Sequence, residues 1–306
     1  MGELKVLKEH ILEINDCRVL FQEPMAKHTS FRVGGPAEVF ALPFNMTALS
    51  ELLSLRKELP EIPWVTIGCG SNLLISDKGF KGVVVKIGSN LSGVTVEGTL
   101  LKALAGTSLS RAADVALEHD LSGLEFASGI PGSVGGAVFM NAGAYGDEIK
   151  QILEGVKAFN SRGEEIYLTQ SDLRMAYRYS ILQDRDWVVG EVDFSLNRGD
   201  RDEIKARMDD LNQRRRDKQP LDYPSAGSAF KRPPGYYAGK LIQDSGLKGY
   251  SIGGAGVSEK HAGFIINKGD ATAQDIYDLI RKIQKTVLKN FGVLLEPEIK
   301  IIGKFE

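Results

Sequence analysis

Residues 124–146 read LEFASGIPGSVGGAVFMNAGAYG, and the rest of the chain is best understood outward from them. The stretch is too apolar for a solvated linker. Its glycines (Gly129, Gly132, Gly135, Gly136, Gly143, Gly146) argue against any long helix or strand, since each costs up to roughly 1 kcal/mol relative to alanine. They permit a main chain that passes close to something flat or anionic, with its N–H groups free to donate. A buried crossover between two core elements would explain such a run equally well. A second glycine loop upstream, Gly68-Cys69-Gly70-Ser71-Asn72, shifts the balance toward a large phosphate-bearing cofactor.

The surroundings of the upstream loop sharpen this. A helix over 47–59, stopped by Pro60, and a buried strand over 64–67 lead into it. Strand-like segments over 73–76 and 83–87 follow, giving a βαβ-like unit with its loop at the C-terminal end of a strand, where open α/β sheets bind ligands. The spacing does not match G-x-G-x-x-G, because Leu73 stands where the third glycine belongs, and the loop runs into Leu-Leu-Ile rather than a helix. A dinucleotide-binding Rossmann unit is therefore disfavoured. Ser71 and Asn72 offer side-chain donors beside main-chain N–H groups, which suits a pyrophosphate.

Elsewhere, Leu4, Leu7, Ile11 and Ile14 predict an amphipathic helix over 4–14, and a short strand is expected over 38–42. His28, in the polar segment before that strand, reads equally well as structural or functional. Strands are expected over 94–97 and 100–105, then a helix over 108–119 capped by Ser108. Strands over 155–160, 165–168 and 187–196 follow, the first two joined by a hairpin-type turn at 160–163. A charged helix over 201–218 carries Arg214, Arg215, Arg216 and Lys218, which is either a solvated face or a basic patch, and Pro220 ends it. After a loop over 224–234 come a strand over 263–267 and a helix opened by Thr272 with Asp275 as a capping box. That helix turns Ile276, Leu279, Ile280, Ile283 and Val287 toward the core, and a strand over 298–302 closes the chain.

Bulk composition excludes several classes. Lys+Arg 38 against Asp+Glu 40 leaves a net charge of −2, so no overall basic field points to nucleic acid or an anionic membrane. Cys17 and Cys69 have no metal-ligand spacing, and so low a count fits a reducing cytosol. No signal-peptide pattern and no run of about 18 apolar residues is present, so a soluble, cytoplasmic protein without a metal site is expected. Oligomeric state is not legible.

The two loops fall into a larger ordered set. The first continues as Leu73-Leu74-Ile75, and the second ends in Asn141-Ala142-Gly143-Ala144-Tyr145-Gly146. Then come Tyr177-Arg178-Tyr179-Ser180, Ala226-Gly227-Ser228-Ala229-Phe230-Lys231, and Leu295-Glu296-Pro297-Glu298. From about residue 31 to about residue 303 this set resembles the UDP-N-acetylenolpyruvoylglucosamine reductase family. The resemblance implies an α+β protein, with a two-subdomain FAD-binding module of the vanillyl-alcohol-oxidase (PCMH) type over 1–198, split near 87. It further implies an α+β substrate domain over 199–297 and a terminal strand over 298–306 that returns to the first subdomain.

By the same resemblance, non-covalent FAD is held by Gly68, Gly70, Ser71, Asn72 and Leu73, and by Gly129, Ile130, Pro131, Gly132, Ser133, Gly135, Gly136, Ala137 and Asn141. NADPH is the reductant, and the small-molecule substrate is UDP-N-acetylglucosamine enolpyruvate. Reduction of its enolpyruvyl ether builds negative charge that spreads into the carboxylate, so a fixed cation is needed there, and Arg178 matches that role. Ser228 matches the proton donor; a lone hydroxyl is a poor acid, and Lys231 and nearby main-chain N–H groups are its candidate helpers. Glu298 matches the glutamate that polarises the carboxylate or holds Arg178, with Glu296 two residues away as the competing choice. Arg214 and Lys218 match a diphosphate-binding pair, and Tyr145, Tyr177 and Arg232 are further substrate candidates.

Two departures make the chain resemble the family's shorter subgroup. The serine loop continues Phe230-Lys231-Arg232-Pro233 where one branch has a second Phe and an Asn, and that branch's extra tyrosine-bearing lid loop is absent. Two rivals stay open at this stage. One is another FAD oxidoreductase on the same module, with Cys69 as a conceivable covalent attachment point. The other is a nucleotide-sugar binding protein, which would need no Arg178, Ser228 and Glu298.

Overall fold

The structure, a computed structural model, describes residues 2–306, with side chains from Val6 onward. Its contacts divide the chain into two compact units. The first comprises Met1–Phe21, Val39–Cys69 and Gly82–Arg214; the second comprises Gln22–Glu38, Gly70–Lys81 and Arg215–Glu306. The division places the segments 22–38 and 70–81 with the C-terminal third of the chain, and it falls inside the upstream glycine loop.

In the first unit, α1 (Gly2–Leu12) buries Leu7 and Ile11 and stops two residues short of the expected Ile14; the side chain of Leu4 lies outside the described residues. Helix α2 (Met46–Glu58) starts where the Asn45 side chain accepts a hydrogen bond from the Ala48 N–H at 2.8 Å, and it buries Leu49, Leu52 and Leu53. The strand Trp64–Ile67 runs parallel to Phe80–Lys86, with Trp64 opposite Val83 and Ile67 opposite Lys86. A separate antiparallel sheet has the order Glu165–Thr169, Leu153–Phe159, Val188–Ser195, Leu100–Leu104, Val94–Glu97. Alternate residues along its central strands (Leu101, Ala103, Val156, Ala158, Val192, Phe194) are fully buried, as the two-residue period of a half-covered sheet requires.

Helix α3 (Leu109–Glu118) is capped by Ser108, whose Oγ accepts from the Arg111 N–H. The glycine-rich stretch itself folds into a helix of seven residues, α4 (Val134–Met140), which its composition hides. Ser133 caps its start, and Asn141, left-handed at φ +43°, closes its end. Helix α4 packs on the antiparallel sheet, and α3 packs against α4. Gly135 is required by packing, since a Cβ there would lie 2.8 Å from the Ala105 Cβ. Helix α5 (Arg201–Lys218) opens on Asp200, whose carboxylate accepts from the N–H groups of Asp202 and Glu203, and it buries Ile204, Met208 and Leu211.

The second unit has its own core around α7 (Ala273–Phe291). The capping box of Thr272 and Asp275 forms as expected, and Ile276, Leu279, Ile280, Ile283 and Val287 are fully buried. A preceding short helix, α6 (Ala238–Asp244), has no side-chain cap and was not legible. A small antiparallel sheet joins Ser251–Ile252, Ala255–Val257 and Ile265–Asn267. The last strand, Lys300–Ile302, lies parallel to Leu73–Ile75, the segment that leaves the upstream glycine loop. The chain is thus α+β. Among the described residues no helix is long and apolar enough to cross a membrane, and no cluster of His, Cys, Asp and Glu could hold a metal ion.

Candidate active site

In the first unit the two glycine loops meet. A Cβ on Gly68 would lie 2.2 Å from the Ser133 Oγ. The downstream loop is strapped to the segment before α3: Leu109 N–H donates to the Gly132 carbonyl, Val134 N–H to Thr107 and Gly135 N–H to Ala105, at 2.8–3.0 Å. This strapping leaves the N–H groups of Gly129, Gly132 and Ser133, and those of Gly68 and Cys69, without a partner among the described residues. Grouped main-chain donors beside a glycine where any side chain would collide are what a pyrophosphate needs. The residues present fit FAD on that ground. Ile130, Gly135, Gly136 and Ala137 are different, because their N–H groups are committed to Ala127, Ala105, Ser133 Oγ and the Ser133 carbonyl.

Cys69 is solvent-exposed, yet the surrounding protein disfavours the thiolate, and burial of the sulfur raises its pKa against the opposing pull of Lys86 and Ser133. Burial likewise lowers the pKa of the Lys86 ammonium, with the Cys69 charge acting the other way.

Arg178 sits in a two-residue turn in which Ala176 and Tyr179 exchange both main-chain hydrogen bonds at 3.0 Å. Its φ of +54° is uncommon for a residue with a side chain. The guanidinium donates to the Gly143 carbonyl at 3.0 Å and lies 5.0 Å from the centroid of the Tyr177 ring. Gly143 belongs to a tight hairpin, Gly143–Ala144 with Asp147–Glu148, whose two-residue tip is Tyr145 and Gly146, both at positive φ. Tyr145, Tyr177 and Arg178 are therefore gathered on two adjoining turns, with both tyrosines exposed. Asn141 is fully buried, and its amide donates to Glu148 Oε2 and to the Ala176 carbonyl, each at 2.9 Å. That commitment gives Asn141 an architectural task in place of a direct donor to the cofactor.

In the second unit Gly70 continues the loop at φ +71°, and a Cβ there would lie 1.9 Å from the His28 carbonyl oxygen. Ser30 N–H donates to the Gly70 carbonyl at 3.1 Å. The Asn72 amide donates to the Glu298 carbonyl at 3.1 Å, and Lys300 N–H donates back to the Asn72 carbonyl at 2.9 Å. Asn72 is thus tied to the closing segment, and Leu73 begins the strand that pairs with it. Glu298 N–H in turn donates to the Ala229 carbonyl at 2.9 Å, beside Ser228. Ser228 is exposed and follows Gly227 at φ +77°. Within the second unit, Asn72, Glu298 and the residue after Ser228 are in this way joined by hydrogen bonds.

The same geometry separates the two glutamates. Glu296 is exposed and pairs with Lys231 at 2.6 Å, whereas Glu298 is half-buried. Lys231 is thus paired with Glu296. Arg232 stacks over the Tyr237 ring at 4.1 Å.

On α5, Arg214 is exposed and pairs with Asp210 one turn back, and Lys218 is exposed near the helix end. Such a surface pair is worth at most about 1 kcal/mol and does not bar Arg214 from an anionic ligand. The helix reaches both ends of the glycine-rich stretch, through Asn212 Nδ2 to Ser128 Oγ at 3.1 Å and Arg207 to Asp147 at 3.2 Å. Gln183, which donates to the Arg178 carbonyl, carries no motif; its only signal is its place three residues after Ser180.

Residues 37–169 match the FAD binding domain family, and residues 219–302 match the C-terminal domain of UDP-N-acetylenolpyruvoylglucosamine reductase. A UDP-N-acetylenolpyruvoylglucosamine reductase of Caldanaerobacter subterraneus subsp. tengcongensis is 56% identical over 98% of this chain and 96% of its own. The chain belongs to the UDP-N-acetylenolpyruvoylglucosamine reductase family. A reductase of that name from Agathobacter rectalis is 50% identical over 94% of this chain and 95% of its own. The solved UDP-N-acetylenolpyruvylglucosamine reductase of Thermus caldophilus matches with a TM-score of 0.80 at 33% identity, covering 94% of this chain and 99% of its own. The protein is accordingly an FAD-dependent oxidoreductase, with the FAD-binding module and C-terminal domain of that family.

Proposed function

We propose that this reductase uses NADPH to convert UDP-N-acetylglucosamine enolpyruvate to UDP-N-acetylmuramate, in the cytoplasm and in the service of peptidoglycan precursor synthesis. Support comes chiefly from one observation: hydrogen bonds tie Glu298 both to Asn72 and to Ala229, beside Ser228, with Glu296 paired to Lys231. When bound, FAD would supply the two-electron chemistry that couples oxidation of NADPH to reduction of the enolpyruvyl group. In this reading residues 1–198 form the cofactor module, 199–297 the substrate domain and 298–306 the returning strand.

The main-chain donors of Gly68, Gly129, Gly132 and Ser133 hold the FAD pyrophosphate without a covalent bond. Arg178 meets the carboxylate that gathers charge as the methylene is reduced, and its planar fork suits that group. A preorganised donor at such a position is worth roughly 2.7–4 kcal/mol in the transition state. Ser228 delivers the proton to the adjacent carbon. Glu298, in its acid form, would donate a hydrogen bond to the same carboxylate, a task its half-burial favours over exposed Glu296. Arg214 and Lys218 take the diphosphate, with Tyr145, Tyr177 and Arg232 as further contacts.

The test is NADPH oxidation by purified, yellow protein. Consumption should require the enolpyruvyl nucleotide sugar and yield the lactyl ether. A flavoprotein that oxidises NADPH at the same rate without it, passing electrons only to oxygen, would defeat the proposal.

A further inference from the structure

The densest set of fixed polar contacts without an assigned role joins the C-terminal end of α4 to the turn that carries Arg178. We propose that Gln183 and Asn141 are positioning residues that hold Arg178 in its left-handed conformation and register its guanidinium against the helix following the second glycine loop. The inference rests on the reading that Arg178 meets the substrate carboxylate.

A left-handed backbone is unfavourable for a residue with a side chain, so something must stabilise the turn. The arginine side chain does not do so locally, because it reaches out to Gly143. The compensation comes from donors on both flanks. Asn141 Nδ2 bonds the Ala176 carbonyl at 2.9 Å, and Gln183 Nε2 bonds the Arg178 carbonyl at 3.0 Å. Each of these donors is also rooted in α4. Asn141 is its C-terminal cap, while Gln183 Nε2 and the buried Ser180 Oγ both donate to the Phe139 carbonyl, at 3.0 and 2.8 Å. Both amide N–H groups of Asn141 are engaged, the second by Glu148 Oε2, and its Oδ1 accepts from the Lys150 N–H at 3.0 Å. The carbonyl gripped by the guanidinium, Gly143, lies two residues beyond Asn141. Main chain and side chain of Arg178 are thus both referred to residues 139–143.

Gln183→Met keeps the length of the side chain and removes both donors. The purified variant should retain its flavin, and NADPH should reduce that flavin within twofold of the wild-type rate. Reoxidation by the enolpyruvyl substrate should slow about tenfold or more, the scale expected when a catalytic group is displaced by a fraction of an ångström to one ångström. In an Arg178→Ala background the same substitution should cost less than twofold, because its effect passes through the arginine. An equal loss in both backgrounds, an equal loss in both half-reactions, no loss, or a protein stripped of flavin would each overturn the proposal. Failure of the functional reading is seen separately, in a wild-type protein whose reduced flavin the enolpyruvyl compound does not reoxidise.

Discussion

Gly68→Ala tests whether the two glycine loops form one cradle. The glycine is not at positive φ, so the backbone itself accepts alanine; the obstacle is the Ser133 Oγ, 2.2 Å from where the new Cβ would stand. Real contacts at that site need at least a further ångström. The serine can rotate its hydroxyl away, forfeiting its bond to the Gly136 N–H and with it the cap of α4, a loss of about 1 kcal/mol. If it cannot rotate, the loops must part, and overpacking of this kind costs about 1–3 kcal/mol. Expressed as FAD affinity, that range is roughly five- to more than a hundredfold. Removing the obstruction should rescue it: Ser133→Gly alone weakens the cap by only a few tenths of a kcal/mol, and in that background Gly68→Ala should lose most of its effect. FAD titration of the apoprotein, followed by quenching of flavin fluorescence, measures all four corners of the cycle. Additive losses, or a Gly68→Ala protein with unaltered affinity, would refute contact between the loops as the basis of the cradle.

Other consequences follow at single residues. Ser228→Ala should leave flavin reduction by NADPH intact and slow reoxidation by substrate about 10²–10⁴-fold in stopped-flow absorbance, since only the second half-reaction needs a proton donor. Glu298→Gln should lower kcat for the enolpyruvyl substrate at least tenfold, while Glu296→Gln removes an exposed ion pair, shifts stability by no more than about 1 kcal/mol and leaves kcat near wild type. Burial raises the Cys69 pKa, so the thiol is protonated near pH 7 and alkylation by iodoacetamide should accelerate only as pH climbs past the ordinary cysteine range, with bound FAD slowing it further. Cys17, pushed up to about 11 by burial, should react more slowly still, as peptide mapping can check.

Much of this was legible because local signals agreed with tertiary demand. Ser108, and Thr272 with Asp275, announced helix starts that form at those residues. The strand Trp64–Ile67 lay between a proline and a glycine loop, which fixed both ends. Helix α4 was hidden because Gly135 and Gly136 are poor helix formers; the helix exists because close approach to Ala105 and the caps at Ser133 and Asn141 outweigh propensity. Helix α6 is a single buried turn or two behind an uncapped tyrosine, too short for periodicity to show. At the site, residue types were readable but hydrogen-bond commitments were not. Asn72 and Asn141 looked like ligand donors, and only the folded chain shows their amides bound to the Glu298 and Ala176 carbonyls. Glu298 was favoured over Glu296 by resemblance alone, and only the folded chain shows Glu296 paired with Lys231. Gln183 carried no pattern at all, because its partners are main-chain carbonyls.

The most direct measurement is an anaerobic single turnover. Protein reduced with one equivalent of NADPH is mixed with UDP-N-acetylglucosamine enolpyruvate, and flavin absorbance is followed while product is quantified. The account predicts full return of the oxidised spectrum with one lactyl ether formed per flavin. A reduced flavin that persists in the presence of that compound, or a protein that binds no FAD, would contradict it.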